Sequence, residues 1–307
     1  MDRFRRTLAA EPGLERRPGY PADHRCGEFV SGFDLAIQIA WSYSTMKIAT
    51  LSIHTMRTRW SCLRDWLLKQ RPDIAALQKI GAAKDFPTDA LRGIGYESAF
   101  LGRASASDLG VAILSRCHLP RPELFADRLP GCQAEEARFL AVDIGRFRIA
   151  SVYAPYGSGQ KPDEAIAQRV AWLNRLRDHV GSADYASRDC LLCGDFNVIV
   201  RADGPPRQPW YSVREQNTLE RLLDQGFIDL YREAHPDPKQ ARGFTFGFQW
   251  SSEGTSRLHL ALASESLARR LSKAWVDTGA RPRKESAPLM VEFKGMTMGE
   301  VTSRTES

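Results

Sequence analysis

The sequence predicts a layered α/β protein, because short apolar segments of strand length alternate along the chain with longer amphipathic segments. The segment KIATLSIH (47–54) is typical of a buried strand. In the segment that follows, Leu63, Trp66 and Leu67 recur at helical spacing and predict one apolar helix face. Pro72 ends this predicted helix, and a further apolar segment begins directly after it.

The other elements follow from the same two patterns. Strands are predicted at residues 73–78, 110–116, 138–145, 147–155, 190–197, 243–248, 257–264 and 288–293. Helices are predicted at residues 61–70, 165–180 and 217–226. A glycine between the strands at 138–145 and 147–155 predicts a turn that pairs them.

The two ends of the chain have a different composition from the middle. Residues 1–45 are rich in Arg, Pro and Gly and have no sustained period, which predicts a poorly ordered extension. The strand pattern begins at Met46, so Met46 is an alternative start to Met1. We expect one globular domain over residues 46–294 and a flexible tail over residues 295–307.

Composition and charge narrow the class of protein. Hydrophobic residues make up 43% of the 307 positions and charged residues 26%, as in ordinary globular proteins. The net charge of +6 favours an anionic partner such as DNA or RNA, although a basic surface without such a partner has the same charge. No apolar run reaches the ~18 residues of a membrane span, and no signal-peptide layout is present. We therefore expect a cytoplasmic protein without a membrane partner.

Cys190 and Cys193 form the one CxxC motif that calls for a zinc or redox interpretation. They lie in the apolar segment CLLCGDFN (190–197), and no second Cys/His pair is nearby. The pattern therefore favours two small core residues over a metal or redox site.

Several sequence blocks, taken in order, carry a family resemblance that none carries alone. After MKIATLSIH, which begins at Met46, come GVAILSR (110–116), EARF (136–139), VYAPYG (152–157), CGDFNV (193–198), GFIDLYREAHPD (226–237), RLHLALAS (257–264) and KESAPL (284–289). This series resembles the exonuclease III and AP endonuclease family of the endonuclease/exonuclease/phosphatase superfamily. The resemblance implies a four-layered α/β sandwich of the DNase I-like type, with two mixed β-sheets packed face to face and helices outside.

The resemblance also implies a chemistry, which is Mg²⁺-dependent hydrolysis of phosphodiester bonds. The metal holds the phosphate and neutralises developing charge, while side chains orient the water. Three positions retain the residues of the family's catalytic set: Tyr153, Asp195 and Asn197. Arg138 matches a position that implies contact with nucleic acid.

Five other catalytic positions of the family are substituted. The resemblance implies Asn where the chain has Ser52, a metal-binding Glu where it has Lys79, and Asp where it has His259. It implies an Asp-His pair where the chain has Glu285 and Ser286. The sequence therefore predicts no metal site, with Asp195 and Glu285 as residual candidates.

Lys79 has two interpretations. Asp195 and Glu285 are expected to converge, and an ammonium between two carboxylates would offset their repulsion as a dication does. It would not activate water, although it could hold a phosphate. Alternatively, Lys79 points to solvent. His259 likewise either fills the vacated space with a hydrogen-bonded neighbour, which we favour, or serves as a base.

Phe246 is another candidate for nucleic-acid contact, and it either lines the nucleic-acid-binding surface or packs as a strand residue. Arg57 and Arg59 are candidates in a predicted loop. Residues 103–107 form a second candidate loop.

Three hypotheses for function follow. The first is a pseudonuclease that has largely lost its phosphodiesterase site and still binds nucleic acid. The second is an active exodeoxyribonuclease or AP endonuclease in DNA repair that uses Mg²⁺ or Mn²⁺. The third is a non-catalytic subunit that binds a protein partner.

Overall fold

A computed structural model describes residues 45–101, 110–117, 119, 137–144, 147–157, 160–203, 211–247, 255–279 and 286–296. The chain divides into two units, residues 1–38 and 39–307, and every described residue belongs to the second. The predicted extension, apart from Thr45, lies outside the described residues. So do most of the predicted tail, the candidate loop at 103–107, and Glu285.

The first sheet has six strands and mixed direction. They are β1 (Thr45–Ser52), β2 (Ile74–Gln78), β3 (Glu97–Leu101), β4 (Val111–Ser115), β10 (Leu271–Val276) and β11 (Leu289–Lys294). Their order across the sheet is β10-β11-β1-β2-β4-β3. The central pair, β1 and β2, is parallel, and the other pairs are antiparallel.

The second sheet has five strands and is also mixed. They are β5 (Phe139–Ile144), β6 (Phe147–Tyr153), β7 (Asp189–Asp195), β8 (Phe227–Asp229) and β9 (His259–Ser264), in the order β5-β6-β7-β9-β8. The pair β6 and β7 is parallel. The strands β5 and β6 pair antiparallel, as the sequence predicts.

Helices cover the outer faces of both sheets. They are α1 (Met56–Gln70), α2 (Thr88–Gly93), α3 (Pro162–Val180), α4 (Ala183–Ala186), α5 (Val213–Leu223), α6 (Leu230–Ala234) and α7 (Glu265–Ala268). Short 3-10 turns lie at Ala83–Asp85 and Arg201–Asp203. None of the helices in the described part of the chain combines the length and apolar character that crossing a bilayer requires.

Three apolar clusters separate four layers. The first lies between the sheets, where Ile48 and Val291 of one face Ile149 and Leu191 of the other. The second joins the outer face of the five-stranded sheet to α3 and α5, and the third joins the six-stranded sheet to α1. The predicted four-layered sandwich is therefore confirmed.

The structure corrects several predicted elements. Residues 243–248 were expected to form a strand, but among those described only Phe246 makes isolated bridges, to Ser256 and Ser286. Gly243 and Gly247 have φ of +65° and +89°, which interrupts extended backbone on both sides. Arg57 and Arg59 lie in the first turn of α1 rather than in a loop.

Cys190 and Cys193 are buried free thiols of β7. Burial raises the pKa of the Cys190 thiol to about 12 and also raises that of Cys193. Both therefore stay protonated and pack as small apolar residues.

The parallel pairs bring four strand ends to one edge of the sandwich. Ser52 is the register partner of Gln78, and Tyr153 is the partner of Asp195. Because β9 runs antiparallel to β7, its first residue, His259, pairs with Asp195 at the same edge.

Gly194 allows β6 and β7 to meet closely just before Asp195. A Cβ at this position would lie 1.9 Å from the carbonyl oxygen of Val152, which is backbone and cannot rotate away. We expect Gly194→Ala to lower the free energy of unfolding by about 1 to 3 kcal/mol or more, measured by urea denaturation. Gly93→Ala is the matched control, because a Cβ there meets nothing within 4 Å. Equal stability of the two variants would contradict this account.

Candidate functional site

The Asp195 carboxylate is the centre of the strand-end cluster. Its side chain is 2% exposed. Oδ2 accepts hydrogen bonds from Lys79 Nζ at 2.9 Å and from Ser52 Oγ at 3.2 Å. Oδ1 accepts one from the backbone N–H of Asn197 at 3.2 Å. Oδ2 thus accepts from residues at the ends of strands in the six-stranded sheet, and Oδ1 accepts from a residue that follows β7 of the five-stranded sheet.

Lys79 follows β2 directly and points into the cluster rather than to solvent. Its side chain is 12% exposed, and its ammonium lies 5.0 Å from the centroid of the Tyr153 ring. Its backbone is left-handed, with φ of +59°. The carbonyl oxygen of Lys79 accepts from Thr55 N at 2.7 Å, which links the loops that follow β1 and β2 and holds this conformation.

The electrostatics of Asp195 reflect two opposing effects. Burial alone would raise the pKa of its carboxyl, but the Lys79 charge and hydrogen bond, with the Asn197 N–H, lower the pKa below its ordinary value. Asp195 and Lys79 therefore form a charged pair at neutral pH. The Lys79 ammonium at 2.9 Å, His259 and the Asn197 N–H together compensate the buried carboxylate.

His259 is fully buried and is held on both ring nitrogens. The Ser52 backbone N–H donates to Nε2 at 3.1 Å, so Nε2 carries no proton in this arrangement. Nδ1 lies 3.1 Å from Thr245 Oγ1. The Ser52 hydroxyl lies 3.0 Å from Nε2 and donates to Asp195. His259 fills space between the sheets and is hydrogen-bonded to its neighbours.

The remaining family-type residues lie around this core. Asn197 is buried, has φ of +51°, and donates through Nδ2 to the carbonyl oxygen of Ala154 at 2.8 Å. Tyr153 is buried with its ring between two cations, because the Arg138 guanidinium lies 4.9 Å from the ring centroid. The backbone N–H of Tyr153 donates to the Arg138 carbonyl oxygen at 2.8 Å.

The other predicted site residues lie further from Asp195 or outside the description. Ser286 is buried and bridges to the half-buried Phe246. Arg57 is exposed and Arg59 half-buried on α1. Glu285 is outside the described residues, so its predicted convergence with Asp195 stays a prediction.

Sequence reasoning missed two residues that position the site. Thr245 holds His259, and also accepts from the backbone N–H groups of Leu258 and His259. Gln78 donates to Ser151 Oγ across the sheets at 3.1 Å. The only available signal was a polar residue inside an apolar run, in GFTFGF and in DIAALQ.

The described residues do not fit a divalent cation. Mg²⁺ takes oxygen ligands in octahedral geometry. Here the inward oxygen of Asp195 accepts from an ammonium and a hydroxyl, and the imidazole nitrogen of His259 accepts from Ser52. Within the described ranges, no three His, Cys, Asp or Glu side chains come together as a metal set.

Comparison with known proteins identifies the family. Residues 59–293 match the Endonuclease/Exonuclease/phosphatase family, and the chain belongs to it. Its relatives include nucleases of the exonuclease III and AP endonuclease type.

Three similar proteins illustrate this relationship. The chain is 28% identical over 201 residues to Recombination repair protein 1 of Drosophila melanogaster, an alignment covering 59% of this chain and only 28% of that protein. It is 23% identical over 281 residues to an exodeoxyribonuclease of Streptococcus pneumoniae, covering 83% of this chain and 98% of the other. The structure of an AP endonuclease from Archaeoglobus fulgidus superposes with a TM-score of 0.68 at 24% identity, covering 81% of this chain and 99% of that one.

The Lys79–Asp195 pair predicts a pH-dependent stability. Because the pKa of Asp195 is lowered in the folded chain, its contribution is present above its unfolded pKa of about 3.9 and is lost as pH falls through the folded value. Lys79→Met leaves a buried carboxylate uncompensated, and we expect a loss of about 3 to 5 kcal/mol at pH 7. The pKa of Asp195 then rises above its unfolded value, so the variant's deficit shrinks as pH falls.

Denaturant unfolding of four proteins across pH checks this expectation: the parent, Lys79→Met, Asp195→Asn and the double variant. The double variant should regain most of the stability that Lys79→Met loses, because no unpaired carboxylate remains. Additive losses at pH 7 would show that the two side chains do not stabilise each other.

Proposed function

We propose that this protein is a pseudonuclease, which binds nucleic acid and does not cleave it. The binding site is the edge at which Ser52, Lys79, Tyr153 and Asp195 meet, here called the strand-end cleft. The observation that carries the proposal is the Lys79 ammonium, 2.9 Å from the Asp195 carboxylate. It stands where the family resemblance implies a metal-binding carboxylate.

The physical argument separates charge compensation from catalysis. An ammonium offsets a buried carboxylate as a dication does. It has no open coordination position, so it neither lowers the pKa of a bound water nor bridges phosphate oxygens as a metal does. With Asp195 engaged by Lys79, Ser52 and Asn197, its carboxylate is also not available to hold a metal in their place.

Binding is supported by cations at the cleft. Lys79 and Arg138 flank Tyr153, and Nη1 of Arg138 is buried without a hydrogen bond to any described residue. A phosphate oxygen would satisfy that donor. Arg57 and Arg59, with Phe246, are the proposed outer contacts. Relatives named as an exodeoxyribonuclease and a recombination repair protein favour DNA over RNA as the partner.

We also propose a cytoplasmic location, in which the four free cysteines among the described residues stay reduced.

One gel experiment separates the three functional hypotheses. The purified full chain is incubated with an abasic-site duplex and Mg²⁺ or Mn²⁺, and binding and cleavage are read from the same samples. We expect a shifted band and no cleavage above a mock preparation. Metal-dependent cleavage that Asp195→Asn abolishes would establish the active nuclease instead. The absence of both binding and cleavage would favour a protein-binding subunit.

Restoring the site tests the same proposal in the other direction. We expect no cleavage from Lys79→Glu alone, because it adds one carboxylate while Ser52 and His259 remain. The combined variant Ser52→Asn, Lys79→Glu, His259→Asp, Glu285→Asp and Ser286→His is expected to cleave abasic DNA with Mg²⁺, measured on that gel. Cleavage by the parent at the combined variant's rate would overturn the proposal.

Magnesium is not expected to stabilise the parent. A ligand at 100 times its dissociation constant adds about 2.7 kcal/mol to the free energy of unfolding, which a melting curve detects. Because Lys79 already compensates Asp195, millimolar Mg²⁺ and EDTA should give the same melting temperature. The combined variant is the positive control and should melt higher with Mg²⁺. A clear Mg²⁺-dependent rise in the parent would refute the account.

A further inference from the structure

A cavity lies between the residues that follow α6 and the edge strand β10. Its volume is about 590 Å³, which is within the range of small-ligand sites. Its lining includes three aromatic side chains, Tyr231, Phe244 and Trp275. Phe244 and Trp275 are half-buried, so part of each ring is accessible.

The cavity combines these rings with positive charge. The Arg242 guanidinium lies 5.7 Å from the Phe244 ring centroid, and the Lys273 ammonium lies 4.5 Å from the Trp275 ring. Lys239 and Arg242 line the cavity, and its described lining contains no carboxylate. In the described part of the chain, none of these three exposed cations enters an ion pair.

Two carboxylates adjoin the lining residues in sequence, and both accept hydrogen bonds from uncharged N–H groups. Asp277 accepts from the Trp66 indole N–H at 3.0 Å. Asp237 accepts from the backbone N–H of Lys239 at 2.8 Å. Another cavity among the described residues has a different charge pattern, because its lining includes the carboxylate of Glu265 together with Arg188 and Arg269. The described lining of the aromatic cavity itself contains Lys239 and Arg242 and no carboxylate.

Hydrogen bonds hold the backbone around this cavity in place before any ligand binds. The Arg232 side chain, itself paired with Asp203, donates to the carbonyl oxygens of His235 at 3.1 Å, Ala241 at 2.7 Å and Arg242 at 3.1 Å. The His235 ring donates from Nε2 to the Ala274 carbonyl oxygen at 2.7 Å, which fastens the segment to β10.

Gly243 allows the backbone to pass close to the Tyr231 ring. Gly243 has φ of +65°, and a Cβ there would lie 2.2 Å from the Tyr231 ring. A site held this firmly loses little conformational entropy on binding.

We propose that this cavity binds single-stranded nucleic acid, with one base against Phe244 or Trp275 and the adjacent phosphates at Lys239, Arg242 and Lys273. Aromatic faces accept any base by stacking, and cations along the same rim follow the backbone. An acidic peptide would use the cations and leave the rings without a planar partner, so the rings favour nucleic acid. The lining of this cavity does not include Lys79, Arg138 or Asp195, and the proposal does not depend on the function proposed for them.

Fluorescence anisotropy of a labelled oligothymidylate with the full chain tests the proposal. The exposed double variant Lys239→Gln/Arg242→Gln is expected to weaken binding and to reduce the slope of log affinity against log salt by about one to two. Phe244→Leu and Trp275→Leu are each expected to weaken binding at least about fivefold. The control Lys84→Gln/Arg221→Gln removes two exposed cations elsewhere and should bind as the parent does.

A further variant and a competition experiment distinguish the possible outcomes. Arg57→Gln/Arg59→Gln should weaken abasic-duplex binding more than Lys239→Gln/Arg242→Gln does, and should weaken oligothymidylate binding less, which distinguishes this cavity from the Asp195 site. The proposal is overturned if the parent does not bind oligothymidylate, or if the charge variant has the parent's affinity and salt slope. It is also overturned if polyglutamate displaces the probe as well as unlabelled oligothymidylate does, because the cavity would then be a site for acidic peptides.

Discussion

The buried Asp195 carboxylate is the constraint on which the site depends. A carboxylate that is 2% exposed needs a compensating charge and donors for its oxygens. Lys79 supplies the charge from the other sheet, and Ser52 and Asn197 supply further donors. The left-handed backbone at Lys79 is part of the same arrangement, because it directs the residue after β2 toward the second sheet.

Lys79, Ser52 and Asn197 all donate to the Asp195 carboxylate, whereas a catalytic metal ion has to keep a coordination position open. A phosphodiesterase needs a coordination position at which substrate and water can exchange. In this chain hydrogen-bond contacts link Thr245 to His259, His259 to Ser52, and Ser52 to Asp195. The proposal of a binding protein rests on the Lys79–Asp195 pair, and these hydrogen bonds support it.

Sequence patterns predicted the central strands well, because each is a buried apolar run. They did not predict β3, β8 or β10, which are three of the four edge strands. β10 was missed because its exposed Lys273 and Ser272 interrupt the apolar pattern. A strand was wrongly expected at GFTFGF because the alternation of phenylalanines was read without regard to the two glycines that turn the backbone.

The site was only partly predictable for a physical reason. Residues at the ends of parallel strands can be expected to converge, so a position for Lys79 near Asp195 was among the sequence-based interpretations. Hydrogen bonds such as those of Thr245 with His259 join segments that are distant in sequence and depend on side-chain direction. No spacing rule predicts them, and Glu285 remains outside the described residues.

The contacts between the sheets also have a mechanical consequence. Lys79 and Asp195 join the sheets at the rim, and just beneath them Gln78 donates to Ser151, which in turn donates to the Leu77 carbonyl oxygen at 2.8 Å. Deeper in the sandwich the sheets meet through apolar side chains, which attract without fixed direction. The hydrogen bonds at the rim have a fixed direction and hold the edges of the two sheets at a set distance from each other. The spacing of the two sheets at this rim is therefore set by hydrogen bonds, whereas deeper in the sandwich it is set by apolar packing.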